Sequence, residues 1–216
     1  MCSQYTLKTK GLELKRIGYF DESDDLEIND RYLPYRFAPI VVRRDGKSVV
    51  EKMNFSLVPN WSKEPKVKFA THNARIETIL EKPTWKNPFK KNHCLVPIST
   101  FYEPSYEGPL AGNILGFSDS EEKLLLAAGI YDSWLNKETG QVLESFSILT
   151  TEPTPQIINH GHDRSPIFLN HDNAMVWLEM DENPNEQREF LLAAHQVNIF
   201  KIVVDRPMKS GWDQRK

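Results

Sequence analysis

Cys2 directly follows the initiator methionine and precedes Ser3, so removal of Met1 would leave a cysteine with a free α-amine. A 1,2-aminothiol captures an aldehyde, first as an imine through nitrogen and then as a five-membered thiazolidine through sulfur. The α-amine has a reference pKa near 7.8, against about 10.4 for lysine, so roughly a tenth or more is neutral and nucleophilic at pH 7. The thiol, with a reference pKa of about 8.5, can close the ring once the imine exists. The same group could instead attack an amide, as an N-terminal nucleophile of the amidohydrolase type. Many chains begin Met-Cys for no chemical reason, so the companions of Cys2 must decide.

Three later segments set reactive groups in apolar frames. In FYEP (101–104), Glu103 follows two aromatic residues at the end of an apolar run. Desolvation there would raise its pKa towards proton-shuttle range, and an ordinary edge ion pair is the competing interpretation. In HGHDRSPIFL (160–169), His162 comes immediately after a helix stop and suits acid–base work. In NARIET (73–78), Asn73 is expected to cap a helix while its amide reaches outward. Arg75 would then lie in the first helical turn, where a cation opposes the helix dipole and is better explained by a bound phosphate. His160, His162 and His171 include an H-x-H spacing, but nothing completes a ligand set, so no metal and no cofactor is expected. His160 is assigned to the helix surface or to a supporting position.

Elements must position these groups. Residues 4–19 suggest a short helix and the acidic stretch 21–30 a surface loop. Strands are expected at 37–43, 49–58, 93–98, 114–118, 123–131, 143–150 and 198–204, the first two joined by the Asp45-Gly46 hairpin turn. Helices are expected at 73–81, at 155–160 behind Thr154-Pro155, and at 184–195, with Gly161 as a helix-terminating residue. Many strands with few helices give an α+β fold around a curved, partly closed, barrel-like antiparallel sheet flanked by short helices, one domain over 1–216.

Net charge is −3, which excludes a histone-like polycation but not a nucleic-acid partner. Residues 62–92 hold eight Lys/Arg and three Asp/Glu, a net of +5, whereas 103–144 hold two and eight, a net of −6. The basic stretch is either a phosphate-facing strip or a solvated helix face with its loops. Two cysteines without a CxxC pair indicate neither a disulfide framework nor a zinc knuckle. No secretory signal or membrane-length apolar run is visible, so a cytoplasmic protein without membrane contact is expected. Residues 171–216 carry no motif; 183–195 reads as a packing helix, and the basic residues after it as tail or contact.

In order, the Met-Cys start, FSLVPNW (55–61), NARIET, HCLVPISTFYEP (93–104), LLLAAGIYDSW (124–134), SFSILT (145–150) and HDRSP (162–166) resemble the SRAP family, SOS-response-associated peptidase-like proteins acting on abasic sites in single-stranded DNA. The resemblance implies a thiazolidine crosslink between Cys2 and the ring-opened sugar. It implies that Asn73 orients the amine, that Glu103 shuttles protons, and that His162 assists imine formation and reversal. It further implies that Arg75 and Arg164 hold phosphates and that Trp61 stacks on bases, in a monomer joining the nucleoid when it acts. The chain departs from the family's pattern at MCSQ for MCGR, FSLVP for WGLVP, FYEP for FYEW and HDRSP for HxRMP. Two other classes stay open: a peptidase or amidohydrolase that removes its own leader residue, and a non-catalytic nucleic-acid binder using 62–92.

Overall fold

Asp45 and Gly46 adopt φ of +48° and +77°, and Arg44 pairs with Lys47 across them, the two-residue hairpin their types demand. The hairpin belongs to a computed structural model that describes residues 2–181, 183–196 and 199–214. Its strands are β1 Tyr5–Lys10, β2 Glu27–Tyr32, β3 Phe37–Arg44, β4 Lys47–Phe55, β5 Asn73–Arg75, β6 His93–Ile98, β7 Thr100–Pro104, β8 Asn113–Asp119, β9 Leu125–Leu135, β10 Val142–Thr151, β11 Ser165–Pro166, β12 Phe168–Leu169 and β13 Phe200–Pro207. The helices are α1 Gly11–Lys15, α2 Pro83–Lys91, α3 Pro155–Ile158, α4 His171–Glu179 and α5 Pro184–Ala194.

Five strands close on themselves in the order β10-β4-β3-β6-β9 and back to β10, a small barrel. A second, antiparallel sheet runs β13-β8-β7-β1-β2. The barrel is not wholly antiparallel: β10 pairs in parallel with β4 and with β5. Closure demands close approach at Gly129, which pairs with Cys94 on one side and Ile148 on the other. A Cβ there would lie 2.8 Å from the Cys94 sulfur and 2.9 Å from the Ser147 carbonyl. Ser99 alone separates β6 in the barrel from β7 in the second sheet. Phe101 and Phe117 from that sheet meet Phe168 and Phe200, with ring centroids 5.1 to 5.5 Å from Phe101. Fully burying rings of this size contributes about 1.5–3 kcal/mol each, which ties the two sheets into one core.

Several expectations change. The helix read at 4–19 is strand β1 followed by the five-residue α1. Tyr5, Leu7 and Thr9 are buried at period two, while Leu14 and Ile17 lent the stretch its helical look. The last four residues of the acidic loop at 21–30 belong to β2, a charged edge strand paired with β1 along its whole length. The helix read at 73–81 is β5 and a single 3₁₀ turn, Ile76–Thr78, because the Asn73–Arg75 backbone pairs with β10. Asn73 is therefore not a helix cap, and Arg75 does not sit in a helical turn. Helices α2 and α4 were not anticipated; α4 is capped by Asn170, whose side chain accepts from the Asn173 N–H at 2.8 Å. The strand expected from 198 begins at Phe200 and runs to Pro207, position 198 lying outside the described residues. No helix among the described residues is long and apolar enough to cross a membrane.

Candidate active site

β1 lies antiparallel to β7 with Tyr5 opposite Phe101, and the Tyr102 N–H donates to the Gln4 carbonyl at 3.0 Å. That register lays the chain start along the end of β7, where Glu103 stands. Side chains alternate along a strand, so Glu103 shares the inward face of Phe101 and is only 2% exposed. Burial raises its carboxyl above the ordinary carboxylate range, with the neighbouring His162 pulling the other way.

Asn73 arrives from β5, fixed by its pairing with Ile148, and its Nδ2 donates to the Cys2 carbonyl at 2.9 Å. Its Oδ1 is buried with no hydrogen-bond partner among the described residues. Cys2 is buried, and its thiol donates to the Gln4 carbonyl at 3.7 Å. Burial first, and then the negative charge of Glu103, push the thiol's pKa well up, so the sulfur is protonated at neutral pH.

His162 follows Gly161, whose φ of +79° turns the chain out of α3. Its Nε2 bonds the Pro104 carbonyl, and a carbonyl only accepts, so Nε2 carries a proton. In the neutral ring the Nδ1 lone pair then faces Glu103, 3.8 Å from Oε2. Cys2, Asn73, Glu103 and His162, distant in sequence, thus stand together. Among the described residues no three His, Cys, Asp or Glu are placed to hold a metal ion. His160 turns instead to Ser105, with Nδ1 3.2 Å from Oγ.

The three residues expected at DNA are placed differently from one another. Trp61 is 54% exposed on a loop pinned at both neighbours: the Asn60 N–H donates to Asp132 and the Ser62 carbonyl accepts from the Trp134 indole. Arg75 is half exposed, 3.8 Å from Asp163. It lines a groove of about 380 Å³ that starts at Asn73 and includes Phe69, Lys82 and Trp85. Arg164 turns inward, its guanidinium donating to Glu77 at 2.7 Å and to the Thr150 carbonyl at 2.6 Å. Arg164→Ala is therefore expected to act on folding. Losing charged hydrogen bonds at a buried position costs about 2–3 kcal/mol. In a chain of this size that lowers the melting midpoint by roughly 4–12 °C, read by calorimetry.

Some participants gave no sequence signal. The Pro104 carbonyl that orients His162 is backbone, indifferent to side-chain type. Glu77 lies inside NARIET, yet its partner Arg164 is 87 positions away. His72, beside Asn73, packs edge-on against Phe55 with centroids 5.9 Å apart, and burial lowers its pKa. Ser56 holds φ at +137°, a region that favours glycine, with its carbonyl accepting from Asn54 Nδ2 at 3.0 Å.

The family model for SRAP, the SOS response associated peptidase family, matches residues 1–207. The chain belongs to the SRAP family. Among SRAP relatives, abasic site processing protein YoqW of Bacillus subtilis strain 168 is 28% identical over 213 residues, covering 92% of this chain and 89% of its own length. Abasic site processing protein HMCES of Xenopus tropicalis is 30% identical, over 76% of this chain and 58% of its own. A crystal structure of a Bacteroides thetaiotaomicron protein superposes with TM-score 0.75 at 24% identity, covering 95% of this chain and 92% of that one. One from Bordetella bronchiseptica gives 0.77 at 20% identity, covering 95% and 100%. At these identities the two structures speak for the SRAP fold alone.

Proposed function

We propose that this chain processes abasic sites in single-stranded DNA by capturing the ring-opened deoxyribose on Cys2, after loss of Met1, as a thiazolidine crosslink. The observation that carries this is the convergence of Asn73 on Cys2 with the Glu103–His162 pair. The α-amine adds to the aldehyde carbon, water leaves, and the resulting imine is attacked by sulfur, whose proton passes to nitrogen. Glu103, whose carboxyl burial shifts towards its protonated form, gives a proton to the departing oxygen, and His162 Nδ1 faces it to exchange that proton. The unbonded Asn73 Oδ1 is an acceptor for an N–H of the processed amine. A thiol kept protonated until the imine forms fits a sequence in which nitrogen attacks first. Arg75 and Lys82, with Phe69 and Trp61 exposed nearby in sequence, supply the charge and stacking surface that a single strand requires.

The test is incubation with an oligonucleotide bearing one abasic site. A heat-stable adduct is expected, with the mass of the protein without Met1 plus the oligonucleotide, less one water. It should be absent with an intact oligonucleotide or after an alkoxyamine has capped the aldehyde. A protein that has lost Met1 and still forms no adduct would overturn the proposal.

A further inference from the structure

Strand β13, from the stretch that carried no motif, reaches the reactive end of the molecule. Its pairing with β8 slips between Val204 and Arg206, leaving Asp205 as the extra residue of a β-bulge. Bulges re-aim side chains, and here both residues swing across the second sheet. Asp205 takes a two-pronged bond from Arg31 on β2, the far edge, at 2.7 and 3.1 Å. The Arg31 guanidinium lies 3.9 Å over the Tyr102 ring. Arg206 donates to Asp205 at 2.5 Å and to the side-chain oxygen of Gln4 at 3.4 Å.

The trio Arg31, Asp205 and Arg206 carries a net charge of +1. Arg31 first, then Arg206, hold the Asp205 carboxyl below the usual range, so it stays charged. One carboxylate thus braces two guanidiniums, and the Arg206 side chain remains 48% exposed. A guanidinium steadied at both terminal nitrogens, half exposed and carrying five N–H groups, has donors left over for a phosphate oxygen. Gln4 lies two residues from Cys2, about 7 Å along extended chain, a separation on the scale of one nucleotide. Arg206 is therefore within reach of the phosphate next to a sugar held at Cys2.

We propose that Arg206, aimed by the Asp205 bulge and braced through Arg31, binds the DNA phosphate adjacent to the captured sugar. This rests on the abasic-site reading for its substrate, but the test does not depend on crosslinking. Noncovalent affinity for an intact single-stranded oligonucleotide is measured against salt for the wild type, Arg206→Gln and Arg206→Lys. Arg206→Gln is expected to weaken binding roughly tenfold at low salt and to flatten the logarithmic salt slope by about 0.7, the single-strand value for one phosphate. Arg206→Lys should keep the slope and lose only part of the affinity. An unchanged slope in Arg206→Gln, with or without weaker binding, overturns the assignment and leaves Arg206 as packing. A flattened slope in a protein that forms no adduct keeps the phosphate contact and removes the crosslinking reading; a normal adduct with an unchanged slope does the reverse.

Discussion

Cys2→Ala is expected to abolish the heat-stable adduct with abasic DNA entirely, while leaving a borohydride-trappable one. Alanine after methionine removal still presents an α-amine, so the imine forms. Without sulfur it has no ring to close into and hydrolyses back. The thiazolidine is reached because nitrogen and sulfur share one residue, and an intramolecular attack of that kind has an effective concentration on the order of 10⁵ M or more when well oriented. An unprotected imine also acidifies the adjacent C–H of the sugar, so elimination of the 3′ phosphate should appear as strand cleavage in the variant. Cys2→Ser separates the chemical classes, since an oxazolidine is much less stable than a thiazolidine but a hydroxyl can still attack an amide. A heat-stable adduct from Cys2→Ala, seen by denaturing electrophoresis, would end the aminothiol mechanism; peptidase activity retained by Cys2→Ser would favour the amidohydrolase class.

How far the chemistry could be read ahead depended on whether each residue acts through its own type or through its partners. Cys2 and Glu103 drew attention because a chain-start thiol and a carboxyl behind two aromatics announce themselves locally; of the two readings open for Glu103, burial rather than an exposed edge ion pair is the one found. Asn73 was placed on the wrong element: three polar and apolar residues in a row look the same before a helix and in a short strand, and only the pairing with β10 decides. Arg164 was legible as a cation but not as a buried one, because Glu77 and Thr150 lie 87 and 14 positions away. The barrel was foreseen in outline, since the β3–β4 and β9–β10 hairpins are local. The parallel closure of β10 onto β4 was not, since it joins Phe55 to Phe146 across half the chain. Arg206 was the least legible of all, a basic residue near the C-terminus until the bulge at Asp205 aims it at Gln4.

Glu103→Gln should slow adduct formation by about 10²–10⁴-fold, the usual worth of a positioned acid–base group. Glutamine keeps the shape and hydrogen-bonding oxygen but cannot release a proton to a departing hydroxyl or recover it through His162. The pH profile carries the distinguishing information. In the wild type the carboxyl is protonated below its raised pKa, so the rate should fall as pH climbs through that value, and the corresponding limb should vanish in Glu103→Gln. Stability should move the opposite way. Because the folded-state pKa lies above the unfolded one, burial of the carboxyl carries no charge penalty at low pH, and that advantage is lost as pH rises through the folded value. A neutral amide escapes that loss, so the melting midpoint of Glu103→Gln relative to wild type should increase from acid to neutral pH. A group that serves chemistry at a cost in folding is what a buried proton shuttle implies. If the variant instead loses rate uniformly across pH and melts lower at every pH, Glu103 is a packing residue and the proton must come from elsewhere.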